Sequence, residues 1–299
     1  MMEKTYYPLP YFAAPEDLPA PLPTIAEIEA SEDVLKHSWS HRVARVGPHY
    51  IVKYGVGVQS IEGENMMFVK ESNPSLAIPT VYAIFSREQD EGDSDKYPAT
   101  TINYIVMEHI PGETLESRWG SLNPAAKGKV TTKLRDYFHK LRQIPTPGYF
   151  GALGNRPFCD DGFVWHREDD ELEEQLSSGP FDTEAELLDA LVAKYEFHSG
   201  SLLQGDRRNE YYRYVLPRVL RSGSSVFTHG DLQRKNIIIR ESDGEVVMID
   251  WESAGWYPGW WEFYATMFCC RWKDDWHLWV GRMLDEYPNE YAWMNMIFR

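Results

Sequence analysis

Cysteine is scarce in this 299-residue chain: Cys159, Cys269 and Cys270 are all it holds. An odd count with one adjacent pair cannot build a disulfide framework, so the expected setting is a reducing compartment, the cytoplasm. There is no CxxC pair and no His-rich spacing to suggest zinc. No apolar run approaches the roughly 18 residues of a membrane-spanning helix. The N-terminus, MMEKTYYPLPYFAAPEDLPAPLP, carries acids and prolines where a secretion signal would carry basic residues and then an apolar stretch. Positive charge is the other shortage. Lys and Arg number 30 against 46 Asp and Glu, a formal charge of −16. Nucleic acid and anionic membranes are poor partners for such a chain, because phosphates need cations to neutralise them. A small molecule, a cationic one included, is compatible with it.

What is present reads as a globular protein long enough for two lobes of about 150 residues. Residues 1–32 are Pro-rich and read as an extended arm, either packed on the surface or partly disordered. From about Asp33 to Tyr54 the pattern is that of strands. RVARVG and HYIVKYG flank the turn dipeptide Gly47-Pro48 and predict a hairpin. SIEGENMMFVKESN predicts a helix with Ser60 as its N-cap. IPTVYAIFS and TINYIVMEHI follow as strands, with an acidic loop between them. After Pro111-Gly112 helical patterns take over, in PAAKGKVTTKLRDYFHKLRQI, TEAELLDALVAKYEF and NEYYRYVLPRVLRS. One more hairpin is signalled by Asp243-Gly244, and the C-terminus returns to aromatic-rich helices. The reading is an α+β chain: an arm, a strand-rich lobe over 33–110, and a helical lobe over 111–299.

Thr228–Trp256, THGDLQRKNIIIRESDGEVVMIDWESAGW, holds the densest chemistry. Moving a phosphoryl group to a hydroxyl needs hard oxygen ligands for a divalent metal and a carboxylate to orient or deprotonate the hydroxyl. It also needs a held cation for the phosphates. HGDLQRKN places an Asn five residues after an Asp, and a short hairpin leads on to IDWE. This is the arrangement of a catalytic loop followed by a metal-binding Asp. Asp231 is then the candidate base, and Asn236 and Asp250 are candidate metal ligands. Lys53, late in the strand YIVKYG, suits the phosphates, with a carboxylate of the following helix to hold it. Backbone groups from Glu108 to Ile110, in IVMEHIPG, can hydrogen-bond an adenine.

In order, VKYGVGV, EGENMMFVKE, IPTVY, IVMEHIPGETL, FTHGDLQRKNIII and MIDWESAGWYPGWWE resemble the aminoglycoside phosphotransferase family, in a branch common among fungal proteins. The resemblance spans about residues 50–262. It implies a two-lobed protein-kinase-like fold with a small antiparallel-sheet N-lobe carrying one helix and a larger helical C-lobe. It also implies ATP and Mg2+ as cofactors, and a small-molecule substrate. By that resemblance Glu62 is the helix glutamate paired with Lys53, although Glu64 competes for the role. The chain departs from kinase patterns in having no GxGxxG near LKHSWSHRVARVG, where Ser38 and Ser40 can supply hydroxyls to the phosphates instead. Gly230 stands where protein kinases have Arg, and no room remains after Asp250 for a long activation loop. These features favour a small-molecule kinase over a protein kinase.

Two other readings remain open: a pseudokinase-like nucleotide sensor or scaffold, and a kinase-fold enzyme with chemistry other than phosphoryl transfer. His229 reads as a structural brace of its loop. Glu252 and Glu262 read as caps or as supports of the site, and Arg234 and Lys235 either steady phosphoryl charge or face solvent. The acids of Asp160–Glu174 read as a solvated acidic helix start or, with the pair Asp274 and Asp275, as a cation-binding site, to which Phe163 and Trp165 would add cation–π contacts.

Overall fold

The computed structural model describes residues 6–89, 100–159, 178–199 and 207–298. The chain forms two compact units, Met1–Glu113 with Ile238–Ile249, and Thr114–Ile237 with Asp250–Arg299. The first unit opens with β1 (Tyr11–Phe12), α1 (Ile25–Glu29), β2 (Val34–His37), β3 (Arg42–Val46) and β4 (Tyr50–Gly55). It continues with α2 (Ile61–Ser72), β5 (Val81–Gln89), β6 (Thr100–Glu108) and β7 (Gly112–Thr114). The second unit then takes α3 (Leu115–Trp119), α4 (Pro124–Leu141), β8 (Gly151–Ala152), α5 (Glu184–Ser199), α6 (Arg208–Val219) and β9 (Ser225–Thr228). A hairpin, β10 (Ile237–Arg240) and β11 (Val246–Met248), precedes β12 (Gly255–Pro258), α7 (Trp261–Phe268), α8 (His277–Met283) and α9 (Pro288–Phe298).

Six antiparallel strands of the first unit lie in the order β1-β5-β6-β4-β3-β2. Side chains alternate across a strand, and β4 separates its roles accordingly. Tyr50 and Val52 enter an apolar cluster with Tyr82, Tyr104 and Val106. Along the same face Phe12, Phe85, Tyr104 and Tyr54 form a run of stacked rings. The N-terminal stretch covers this face: Ile28 of α1 is fully buried in the cluster, and Glu29 accepts the Tyr104 hydroxyl at 3.1 Å. A capping box between Thr24 and Glu27 starts α1, and β1 pairs with β5. The stretch read as a surface arm thus adds a strand and a helix to the first unit. Its prolines hid both, since neither element is long enough to show a period.

α2 packs at Gly63, where an added Cβ would lie 2.6 Å from Ile84 and 3.4 Å from Ile105. Ile105 is the cross-strand partner of Lys53, so close packing of α2 brings its first turn to that lysine. Ser60 does not cap this helix. Its backbone is already helical (φ −58°, ψ −27°) and its side chain makes no capping bond, whereas an N-cap needs extended angles to aim its oxygen back at the first amides.

The Asp243-Gly244 hairpin belongs to the first unit, although the sequence reading groups it with 111–299. β10 pairs with β7, and a Cβ on Gly112 would lie 2.3 Å from the Ile239 carbonyl. The linker glycine is there for that close approach. In the second unit, α5, α6, α7 and α9 share one core built on Leu187, Leu191, Leu216, Trp260, Trp261 and Met294. β8, β12 and β9 form a small antiparallel sheet. β9 runs directly into His229, and β12 follows Asp250 by five residues, so one short sheet anchors both segments.

Candidate active site

Lys53 and Glu62 are both buried, and Nζ lies 2.6 Å from Oε2. Taking both charges out of water costs free energy that their attraction does not reliably return, so the pair is better understood as fixing a lysine in place than as a source of stability. Glu64 turns elsewhere: its Oε2 accepts the backbone N–H groups of Tyr6 and Tyr7. Residues two apart on a helix point in nearly opposite directions, which separates the two glutamates.

The hydroxyls of Ser38 and Ser40 lie 3.0 and 3.2 Å from His41 Nδ1, and the Ser38 hydroxyl also bonds the His41 backbone. They tie together the turn between β2 and β3. At the end of β6 the Glu108 carboxylate accepts from Thr80, and the Glu108 and His109 N–H groups are spent on Thr80 and His49. The Ile110 N–H has no acceptor among the described residues.

In the second unit Asp231 sits in a tight polar ring. Asn236 Nδ2 donates to its Oδ2 at 2.7 Å and to its backbone oxygen at 3.0 Å. Gln233 Nε2 donates to its Oδ1, and Lys235 Nζ stands 3.6 Å from Oδ2. Sequence reading missed Gln233; its only signal is a place two residues after the Asp. Asn236 is buried, yet its Oδ1 accepts from nothing among the described residues. Asp250 has φ 66°, a region most L-residues avoid, and such strain collects at functional positions.

The loop that carries Asp231 is braced from below. Gly230 has φ 83°, and a Cβ there would lie 2.7 Å from the Ser253 carbonyl; this is the physical reason a glycine follows His229. His229 is fully buried, receives the Asp231 N–H on Nδ1 at 3.2 Å, and packs on Trp251 at 4.6 Å. Glu262 Oε2 accepts the N–H groups of His229 and Gly230 at 2.8 and 3.4 Å, while its Oε1 has no partner among the described residues. Burial pushes the Glu262 carboxyl above its ordinary range, against the pull of His229 and Arg142.

Two of the acids expected to bind a cation, Asp274 and Asp275, are otherwise employed. Asp275 accepts from Lys127 at 2.8 and 2.9 Å and from the indole N–H groups of Trp119 and Trp279 at 2.9 Å. The Lys127 bond, with the two indoles, holds its carboxyl well below the usual range despite burial. Asp274 is bound by Arg234 at 2.6 Å and by the Trp276 N–H. Arg234 itself lies against the Trp119 and Trp276 rings, so it is a packing and pairing residue. Asp160–Glu174, with Phe163 and Trp165, lies outside the described residues.

An antiparallel sheet with a buried Lys–Glu pair, followed by a helical unit with an HGDxxxxN loop, defines a phosphotransferase of kinase-like architecture. The sequence pattern of the phosphotransferase enzyme family (APH) matches residues 35–296, and the chain belongs to that family. Among curated proteins no sequence matches it. Solved structures with the same α+β fold include a protein described as a fructosamine-3-kinase from Haemophilus somnus 129PT, with TM-score 0.54 and 11% identity over 91% of this chain and 84% of that one. The ADP-bound aminoglycoside phosphotransferase APH(2'')-Ib gives TM-score 0.52 and 16% identity over 88% of this chain and 78% of that one. The GDP and kanamycin complex of APH(2'')-IIIa gives TM-score 0.53 and 14% identity over 89% and 81%.

Proposed function

We propose that this chain is a small-molecule kinase that passes the γ-phosphoryl group of ATP, held with Mg2+, to a hydroxyl group of its substrate. The observation that carries this reading is the ring of donors around Asp231. A carboxylate fixed by Gln233 and Asn236, yet a quarter exposed, is suited to receiving a proton from an incoming hydroxyl. Each oxygen accepts one of these amides, and a carboxylate oxygen has a second lone pair to receive the hydroxyl proton; Lys235 nearby offsets charge that grows on the transferred group.

The residues also fit the metal. Asn236 Oδ1 has no donor among the described residues, Asp250 is a hard oxygen ligand, and Mg2+ takes one or two protein oxygens beside phosphate and water. When bound, the magnesium–nucleotide would supply the phosphoryl group and neutralise its oxygens. Lys53, steadied by Glu62, holds the phosphates. Backbone groups from Glu108 to Ile110 receive the base, with the unspent Ile110 N–H as the donor. The Ser38 and Ser40 turn takes the place of a Gly-rich loop through its backbone, since its hydroxyls are engaged with His41.

ADP release with a panel of hydroxylated compounds tests the reading, with GTP offered beside ATP. Asp231→Asn should lower turnover by about 10²–10⁴-fold while nucleotide still binds. Turnover near wild type in that variant would remove Asp231 as the base. Nucleotide binding without transfer to any hydroxyl would favour the scaffold reading.

A further inference from the structure

A cavity of about 190 Å³ opens in the second unit beside the Asp231 loop. Leu232, Gln233 and Arg234 line it on one side and the connection from α7 to α8 lines it on another. Gln233 also donates to the Asp231 carboxylate, so the cavity and the carboxylate share a residue.

The charge of its described lining runs against that of the whole molecule. Arg234 and Asp274 neutralise each other at 2.6 Å. Arg271 and Lys273 also line it, and neither has an ion-pair or hydrogen-bond partner among the described residues. Glu116 is the single unpaired acid on the wall among the described residues. Among the described residues its lining therefore carries an excess of one positive charge, in a chain of net charge −16. Burial, with Cys269 adjacent, raises the Cys270 thiol to about 11, so that lining group stays neutral. Between the two free cations stands Trp272. It is half exposed, has φ 53°, and lies 4.9 Å from the His277 ring. A bulky residue in the left-handed region is an outlier, kept where the surroundings impose it. This strained turn sets a cation, a ring and a cation in succession along one wall.

We propose that the cavity receives an oxyanion, a carboxylate or a phosphate, through Arg271 and Lys273, with the Trp272 ring covering the body of the molecule. The acceptor of the phosphoryl group is then an anionic hydroxyl compound rather than a polycation; this last step rests on the kinase reading, and the anion site does not. Guanidinium and ammonium groups both suit oxyanions, the former by its planar fork.

Calorimetry on the full chain without nucleotide tests it, at physiological salt, with a series matched in ring and hydroxyls: glucose, glucosamine, glucuronate and glucose 6-phosphate. Inorganic phosphate and acetate serve as minimal probes. Glucuronate or glucose 6-phosphate, or one of the bare anions, should bind more tightly than glucose and glucosamine, and the preferred anion tells carboxylate from phosphate. The double variant Arg271→Ala/Lys273→Ala, which alters only exposed side chains, should weaken that binding roughly tenfold. Glu116→Gln should strengthen it. Absence of anion binding, tightest binding of glucosamine, or an anion preference that survives the double substitution overturns the proposal; the last result would place the anion at Lys53. ADP release with the same series separates the two readings. Anions that bind through Arg271 and Lys273 but are never phosphorylated leave the site standing and count against the kinase reading. Phosphorylation without charge preference does the reverse.

Discussion

Glu262 and Asp275 are two buried or bonded carboxyls with opposite consequences. The Glu262 carboxyl is raised by burial. The folded state therefore holds its proton more tightly than the unfolded chain, and the group disfavours the fold increasingly as pH rises through the folded value. Glu262→Gln keeps an acceptor for the His229 and Gly230 amides without the charge. Its melting temperature relative to wild type should improve from pH 5 to pH 8, whereas Glu262→Ala, which leaves two buried N–H groups unpaired, should be less stable throughout. Because Glu262 acts through the loop, Glu262→Ala should lower kcat more than it raises KM. Asp275 is held low chiefly by its bond to Lys127. Its contribution is complete above the ordinary aspartate range and is lost as pH falls below it. Asp275→Asn should cost about 1–2 kcal/mol at neutral pH, discounted for a carboxylate two-fifths exposed. In denaturant titrations the difference from wild type should shrink toward pH 3.

At the scale of elements, α2 and the strand it covers meet at one glycine. A valine at position 63 would press into Ile84, which is buried in turn. Overpacking of this kind costs about 1–3 kcal/mol. It should also draw Glu62 away from Lys53, so Gly63→Val should lose activity beyond its loss of stability. Gly63→Ala, whose smaller side chain still meets the end of Ile84 at 2.6 Å, should fall between wild type and Gly63→Val. A variant with full turnover and intact stability would show that the helix does not need this close approach. The short β8-β12-β9 sheet has a similar positioning role. Gly255 faces Thr228 across it, so the run before His229 and the run after Asp250 are registered by backbone hydrogen bonds, not by side chains.

Across the whole molecule, −16 charges repel one another in the folded state. Raising sodium chloride from about 10 to about 150 mM shortens the screening length from roughly 30 to 8 Å. The melting temperature should rise over that interval, and a fall would mean that attractive pairs dominate. Removing residues 1–30 should destabilise the first unit, because that stretch supplies β1, α1 and the amides bound by Glu64. Among the described residues no helix is long and apolar enough to cross a membrane.

Local spacing made much of this legible. The β-prone composition of YIVKYG and TINYIVMEHI marked strands, and Asp243-Gly244 marked a hairpin. The interval from Asp231 to Asn236 is short enough for one turn to close, and the Asn236 amide does reach the Asp231 carboxylate. Such features depend on neighbours a few residues away, so their geometry is written in their order. Partners distant in the chain are not. The resemblance favoured Glu62 over Glu64, but what each glutamate meets is set by the fold: α2, packed close at Gly63, brings Glu62 to Lys53 and leaves Glu64 to the amides of Tyr6 and Tyr7. Asp274 and Asp275 look like free acids until the fold brings them to Arg234, Lys127 and two indoles. Composition counts charges without pairing them. Tertiary structure decides which remain unpaired, because an ion pair or a buried hydrogen bond exists only where two remote surfaces meet.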